Sequence, residues 1–190
     1  PMPRSHSPRR QPSEPRVAVD YYGHLNVDHP ECNSNVFFWQ QSSLPANHLM
    51  VLFNLVQDPL DQDKWTALTK HGIAALALRP QAATVAEAPV FRYRRNPPGV
   101  APRPFKRVPT ARGLEVRWLR GQEAMYWNTR AFWASLFDTE GIKIHVCWYK
   151  YDAMHCAIAD ALQDVGGVAV IYQRAYEEFP SAATTIDTDI

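Results

Sequence analysis

The chain has 190 residues, which is one domain by the usual length prior and enough for a packed core. It is 46% hydrophobic with six Trp, and no apolar run approaches the roughly 20 residues a membrane-spanning helix needs. Its near-neutral net charge of +1 hides a split: residues 91–120 carry nine Arg/Lys against one acid, Glu115, and residues 1–16 carry four Arg against Glu14, while the rest of the chain is acidic.

Taken in chain order, residues 1–16 form a basic tail with five prolines, which excludes a helix there. Arg- and Ser-rich, acid-poor composition of this kind also marks mitochondrial transit segments. Residues 17–27 (VAVDYYGHLNV) and 35–41 (NVFFWQQ) read as strands rich in Val, Phe and Tyr, expected to pair as an antiparallel hairpin at one edge of the sheet. Residues 48–56 are a continuous apolar run, the mark of a strand buried on both faces. Pro59 and Asp61 open a helix over 61–71, closed by Gly72, and 73–78 is the next buried strand.

Residues 80–113 have no periodicity. They form a Pro/Arg connection longer than structureless loops usually run. LEVRWLR (114–120) alternates Leu114, Val116 and Trp118 with Glu115 and Arg117 and predicts a strand, followed by an aromatic helix over 121–141. In 142–149, Ile142, Ile144, Val146 and Trp148 alternate with Lys143, His145, Cys147 and Tyr149, which predicts a strand with one polar face. Asp152 caps a helix over 153–165 striped by Met154, Ile158, Leu162 and Val165. Gly166 and Gly167 stop it, 168–172 is the last strand, and 181–190 is a polar tail.

This order predicts a single α/β layered domain over 17–180. Its mostly parallel sheet comes from two strand–helix–strand units, with Val51, Leu52, Leu76, Ala77, Ile144, Val146, Val168 and Val170 in its core.

Two pieces resemble a known family. Gly23-x-Leu25-x-Val27, Phe37-Phe38-Trp39, Pro45 and Met50-Val51-Leu52-Phe53 resemble the opening hairpin and third strand of serine carboxypeptidases, of the α/β-hydrolase superfamily. The segment with Trp65, Leu68, Gly72 and Arg79 resembles the helix and fourth strand of α/β-hydrolases. The resemblance covers about residues 20–80 and implies that 142–172 would surround the nucleophile. The catalytic motifs of that family are absent. Its oxyanion-hole glycines are replaced by Asn54-Leu55-Val56-Gln57-Asp58-Pro59. Asp152, at the elbow position, is flanked two places away by Lys150 and Met154, where the strained turn needs small residues. No Ser lies in Gly-x-Ser-x-Gly.

Other chemistry is sparse. His24 and His29 have a metal-ligand spacing without a cysteine pair, and His145, Cys147, His155 and Cys156 read as strand and helix residues, so neither metal nor cofactor is expected. Cys147 and His145 share a strand face with no orienting group evident in the sequence. Three cysteines without a paired framework fit a reducing compartment. No glycine-rich nucleotide motif is present.

The basic arm is the strongest signal. Arg suits bidentate contact with carboxylate or phosphate, and Arg92, Arg94, Arg95, Arg103, Lys106, Arg107 and Arg112 are the candidate partner-binding residues. The sequence therefore predicts a catalytically silent accessory subunit of a large assembly, docked on other protein subunits through basic Pro-rich extensions. RNA or anionic lipid is the alternative contact of 91–120. A mitochondrial setting is expected, with a respiratory-chain or ATP-synthase-type complex ahead of the mitochondrial ribosome. A divergent α/β-hydrolase acting on an ester or peptide is the other reading.

Overall fold

A computed structural model describes residues 14–23, 25, 44–93, 114–147 and 153–171. Within them the elements run β1 (Arg16–Asp20), β2 (Leu49–Phe53), α1 (Gln62–Lys70), β3 (Ala74–Ala77), α2 (Leu114–Glu140), β4 (Ile142–Cys147), α3 (Ala153–Asp164) and β5 (Val168–Ile171). The five strands make one sheet in the order β3-β2-β1-β4-β5, and every pairing is parallel. The single α/β layered domain read from the sequence is therefore present.

Two clusters divide the core between the faces of the sheet. On one face Val17, Val19, Leu49, Val51, Phe53 and Ala75 pack with Leu68 of α1. On the other, Ala18, Met50, Leu52 and Leu76 pack with Trp133, Leu136 and Phe137 of α2 and Ile158 and Leu162 of α3. Helices on both faces and a chain that winds outward from β1 in both directions define a doubly wound sheet. Burial on both faces explains why the strands of the first half read as unbroken apolar runs: all five β2 residues are buried.

Local chemistry sets the helix ends. The Asp61 carboxylate accepts from the Lys64 amide at 3.0 Å, the N-cap of α1. Gly72 follows the α1 C-cap with φ of 71°, a conformation a side chain rarely adopts. At Gly167 the need is space: a Cβ there would stand 2.7 Å from the Lys143 carbonyl oxygen and 2.6 Å from Leu162 Cδ1.

Three expectations are corrected. First, β1 is not an antiparallel edge strand. It is the centre of the sheet, with parallel partners on both edges; the second strand expected beside it, 35–41, lies outside the described residues. Second, residues 114–120 are the start of α2, not a strand. Leu114, Val116 and Trp118 alternate, but Trp118 also lies in helical phase with Gln122 and Met125, and the helix that follows propagates backwards through the segment at little cost per residue. Third, the buried side of β4 is not the Ile/Val side. The register with β1 shifts between the Arg16–Ile142 and Val17–Ile144 pairs. Lys143 is the extra residue of a bulge, so the alternation changes phase there. Ile142 is buried, and beyond the bulge it is His145 and Cys147 that point inward, while Ile144 is exposed and Val146 half-buried. Val168 is exposed and Val170 half-buried. Val51, Leu52, Leu76 and Ala77 are buried as expected.

Candidate functional site

In a doubly wound sheet, ligands bind outside the carboxyl ends of the strands, at the point where the winding reverses. Here that point lies between β1 and β4. β1 ends in Asp20 and β4 carries His145, and the two meet: His145 Nε2 lies 3.0 Å from Asp20 Oδ1. The His145 side chain is 1% exposed and that of Asp20 is 17% exposed. The imidazole is enclosed by aromatic rings, 5.4 Å from Trp133 and 5.6 Å from Phe137. The bulge at Lys143 makes this pairing possible, because without the phase change His145 would face the other side of the sheet. Sequence reading placed His145 beside Cys147 with no orienting group. The structure supplies one from 125 residues away, and only the strand order could have revealed Asp20.

A second polar group lies at the same edge. Tyr21 Oη donates to Asp58 Oδ2 at 2.5 Å, and Lys64 Nζ stands 2.8 Å from Asp58 Oδ1 and 2.5 Å from Asp61 Oδ2. The Lys64 hydrogen bond, then that from Tyr21, holds the Asp58 carboxyl below its ordinary value. Burial and the neighbouring Asp58 push the Tyr21 phenol well above its usual range. Burial works to lower the Lys64 ammonium, but its two carboxylate partners outweigh it and raise it. At the end of β2, Asn54 Oδ1 accepts from Arg79 Nε at 2.9 Å. These groups satisfy one another.

The third feature is the seam between α2 and α3. Arg130 grips Asp164 through two hydrogen bonds of 2.7 Å, and Tyr126 Oη donates to Asp160. Burial and Asp160 push the Tyr126 phenol up to about 12. Beyond this clamp the seam opens into a groove of about 310 Å³ lined by Gln122, Met125, Tyr126, Thr129, Ala153 and Met154.

Of the candidate partner-binding residues, Arg92 is exposed; Arg94, Arg95, Arg103, Lys106, Arg107 and Arg112 lie outside the described residues. So do His24, His29, Cys32 and Asp152. Cys147 is buried and Cys156 half-buried, and neither is in a disulfide. Among the described residues no group of three or more His, Cys, Asp or Glu could hold a metal ion, and no helix is long and apolar enough to cross a membrane. No family model, no curated protein and no solved structure matches the chain.

Proposed function

We propose that this chain is a non-catalytic accessory subunit of a larger, mitochondrial assembly, docked on protein neighbours through its basic Pro-rich segments and the outer half of α2. One observation carries the reading. None of residues 115–131 of α2 is buried, although Trp133–Phe137 of the same helix all are. A helix that extends this far past its own core, with Trp118 63% exposed, is stable in water only at the margin and is suited to a second surface. The charge split supports the same reading, since the basic stretch of 91–120 runs directly into this helix. Replacing Arg92, Arg94, Arg95 and Arg107 by Ser tests it. The isolated chain should keep its melting temperature if these charges serve attachment rather than folding. Incorporation into the assembly should fall, most of all at low salt, where the removed charges are least screened. Normal incorporation at every salt concentration would overturn the reading.

The Asp20–His145 pair favours a second reading, a ligand-binding or hydrolytic centre at the switch point, of the divergent α/β-hydrolase kind. In it His145 would move a proton and Asp20 would orient the ring. Turnover of a p-nitrophenyl ester that His145→Asn and Asp20→Asn both abolish would establish it over the first.

A further inference from the structure

We propose that Lys143 and Gly167 are positioning residues, which together hold the bulge in β4 that turns His145 onto Asp20. This rests on the pair that carries the second reading above and not on the ester chemistry tested there.

The apolar pattern of β4 asks for the opposite arrangement. Ile142, Ile144 and Val146 alternate, and Ile142 is fully buried on the face that packs against α2 and α3. Without a bulge Ile144 and Val146 would line that face too. His145 and Cys147 would then turn to the α1 face, away from Asp20, which shares the α2 face with Ala18. Instead Ile144 is left 37% exposed and Val146 packs on the α1 side. The strand thus forgoes apolar burial to set a histidine against Trp133 and Phe137 and beside a carboxylate. Burial of these apolar residues favours the straight strand, so other contacts must hold the bulge. Places where the pattern and the fold disagree gather at functional sites, and bulges re-aim side chains beside them.

Two contacts with the end of α3 supply the hold. Lys143 Nζ donates to the Val165 carbonyl oxygen. An ammonium there satisfies a carbonyl that the helix leaves open and meets the negative end of its dipole. The end of α3 is itself locked: Gly166 has φ of 73°, its amide donates to the Gln163 carbonyl at 2.9 Å, and the Gly167 amide donates to the Leu162 carbonyl at 2.9 Å. Lys143 is therefore tied to a fixed point. The second contact is one of space. A Cβ on residue 167 would stand 2.7 Å from the Lys143 carbonyl oxygen. Lys143 is extra against β1, while β4 and β5 stay in step from Ile144 and Val168 onward. The extra residue is taken up toward β5, in room that only glycine leaves. Both contacts act two residues before His145, through the backbone of β4.

Histidine-ring NMR on the full chain tests this. A carboxylate only accepts hydrogen bonds, so the pair places a proton on His145 Nε2. With the side chain 1% exposed, that proton should exchange slowly enough with water to be seen. His145→Leu assigns the signal by removing it. Lys143→Arg should keep it, since a guanidinium can still donate to the Val165 carbonyl. Lys143→Met, which keeps the stem and removes the donor, should lose or broaden it. So should Gly167→Ala, which sets a methyl against the Lys143 carbonyl. Leu68→Ala, in the core on the other face, controls for destabilisation alone: it should lower the melting temperature and leave the signal in place. All spectra are recorded well below each variant's melting temperature, and Lys143→Met decides the matter should Gly167→Ala fail to fold. A wild-type signal in either Lys143→Met or folded Gly167→Ala overturns the proposal, as does equal loss in Leu68→Ala or in Lys143→Arg. A wild-type chain without the signal overturns the pair as well, and the second reading with it. Absent ester turnover beside the expected signals sinks the hydrolytic chemistry and leaves the positioning.

Discussion

The two halves of α2 share a backbone and are held to the protein differently: the inner half by burial, the outer half by the polar contacts of Tyr126 and Arg130 with Asp160 and Asp164 of α3. In the inner half, Trp133, Ala134, Leu136 and Phe137 close one face of the sheet with α3. In the outer half, Gly121, Ala124, Met125 and Asn128 are exposed, as are Arg117, Trp118 and Arg120. The inner half is fixed by burial. The outer half is helical because it continues an existing helix, which costs far less than starting one. One helix can therefore be core at one end and exposed surface at the other, and burial distinguishes them where amphipathicity does not.

The largest effect should come from the inner half. Phe137 is fully buried and in ring contact with Trp133 at 5.4 Å and His145 at 5.6 Å. Phe137→Ala should cost about 3–5 kcal/mol in urea unfolding, the usual figure for an aromatic removed from a packed core. A cost below about 1 kcal/mol would mean that the inner half is not the anchor.

His145 comes next, because it lies under the same rings. His145→Leu keeps the apolar contacts but leaves Asp20 without this partner, and should cost about 1–3 kcal/mol. Replacing both, His145→Leu with Asp20→Ala, should cost less than the two single changes added together, since removing both partners of a hydrogen bond is milder than orphaning one. Strict additivity would show that the pair is not coupled.

The Asp58–Lys64–Tyr21 group should appear as a pH effect. The Asp58 carboxyl is held below its ordinary value by the hydrogen bonds from Lys64 and Tyr21. A carboxyl lowered in the folded state adds stability above its unfolded value, and that stability is lost as pH falls through the folded one. The melting temperature should therefore drop as pH falls below about 4, and Asp58→Asn should flatten that drop while lowering the neutral-pH melting temperature slightly. An unchanged acid profile in Asp58→Asn would remove this group from the account.

Much of the fold was legible. β2, β3, α1 and α3 were placed by apolar runs, a cap at Asp61 and stops at Gly72 and Gly166, all of them local signals. What escaped was non-local. The central position of β1 depends on partners 32 and more residues away in sequence. The inward turn of His145 and Cys147 depends on one unpaired residue, Lys143, that no periodicity announces. Asp20 looked like an ordinary strand terminus until the strand order brought it to His145. The start of α2 was misread because Leu114, Val116 and Trp118 satisfy a period of two over seven residues, and the period of 3.6 declares itself only when the window reaches Met125.

The smallest effect on stability should come from the outer half, and it is the most informative about the comparison. Trp118→Ser or Met125→Ser removes a large apolar side chain from α2, as Phe137→Ala does. In the outer half that side chain already faces water in large part, at 63% and 49% exposure, so unfolding newly exposes only about half of it or less and each change should stay within about 1 kcal/mol. Ser is a somewhat poorer helix former than Met and comparable to Trp, so any small loss should be larger at Met125 than at Trp118. Reading both from urea midpoints beside Phe137→Ala places the two halves of one helix on one scale. A cost of about 2 kcal/mol or more at Trp118 would mean that the outer half is packed within the chain itself. Near-zero cost at both positions would mean that the apolar surface of this half contributes nothing to the fold, in contrast to Phe137.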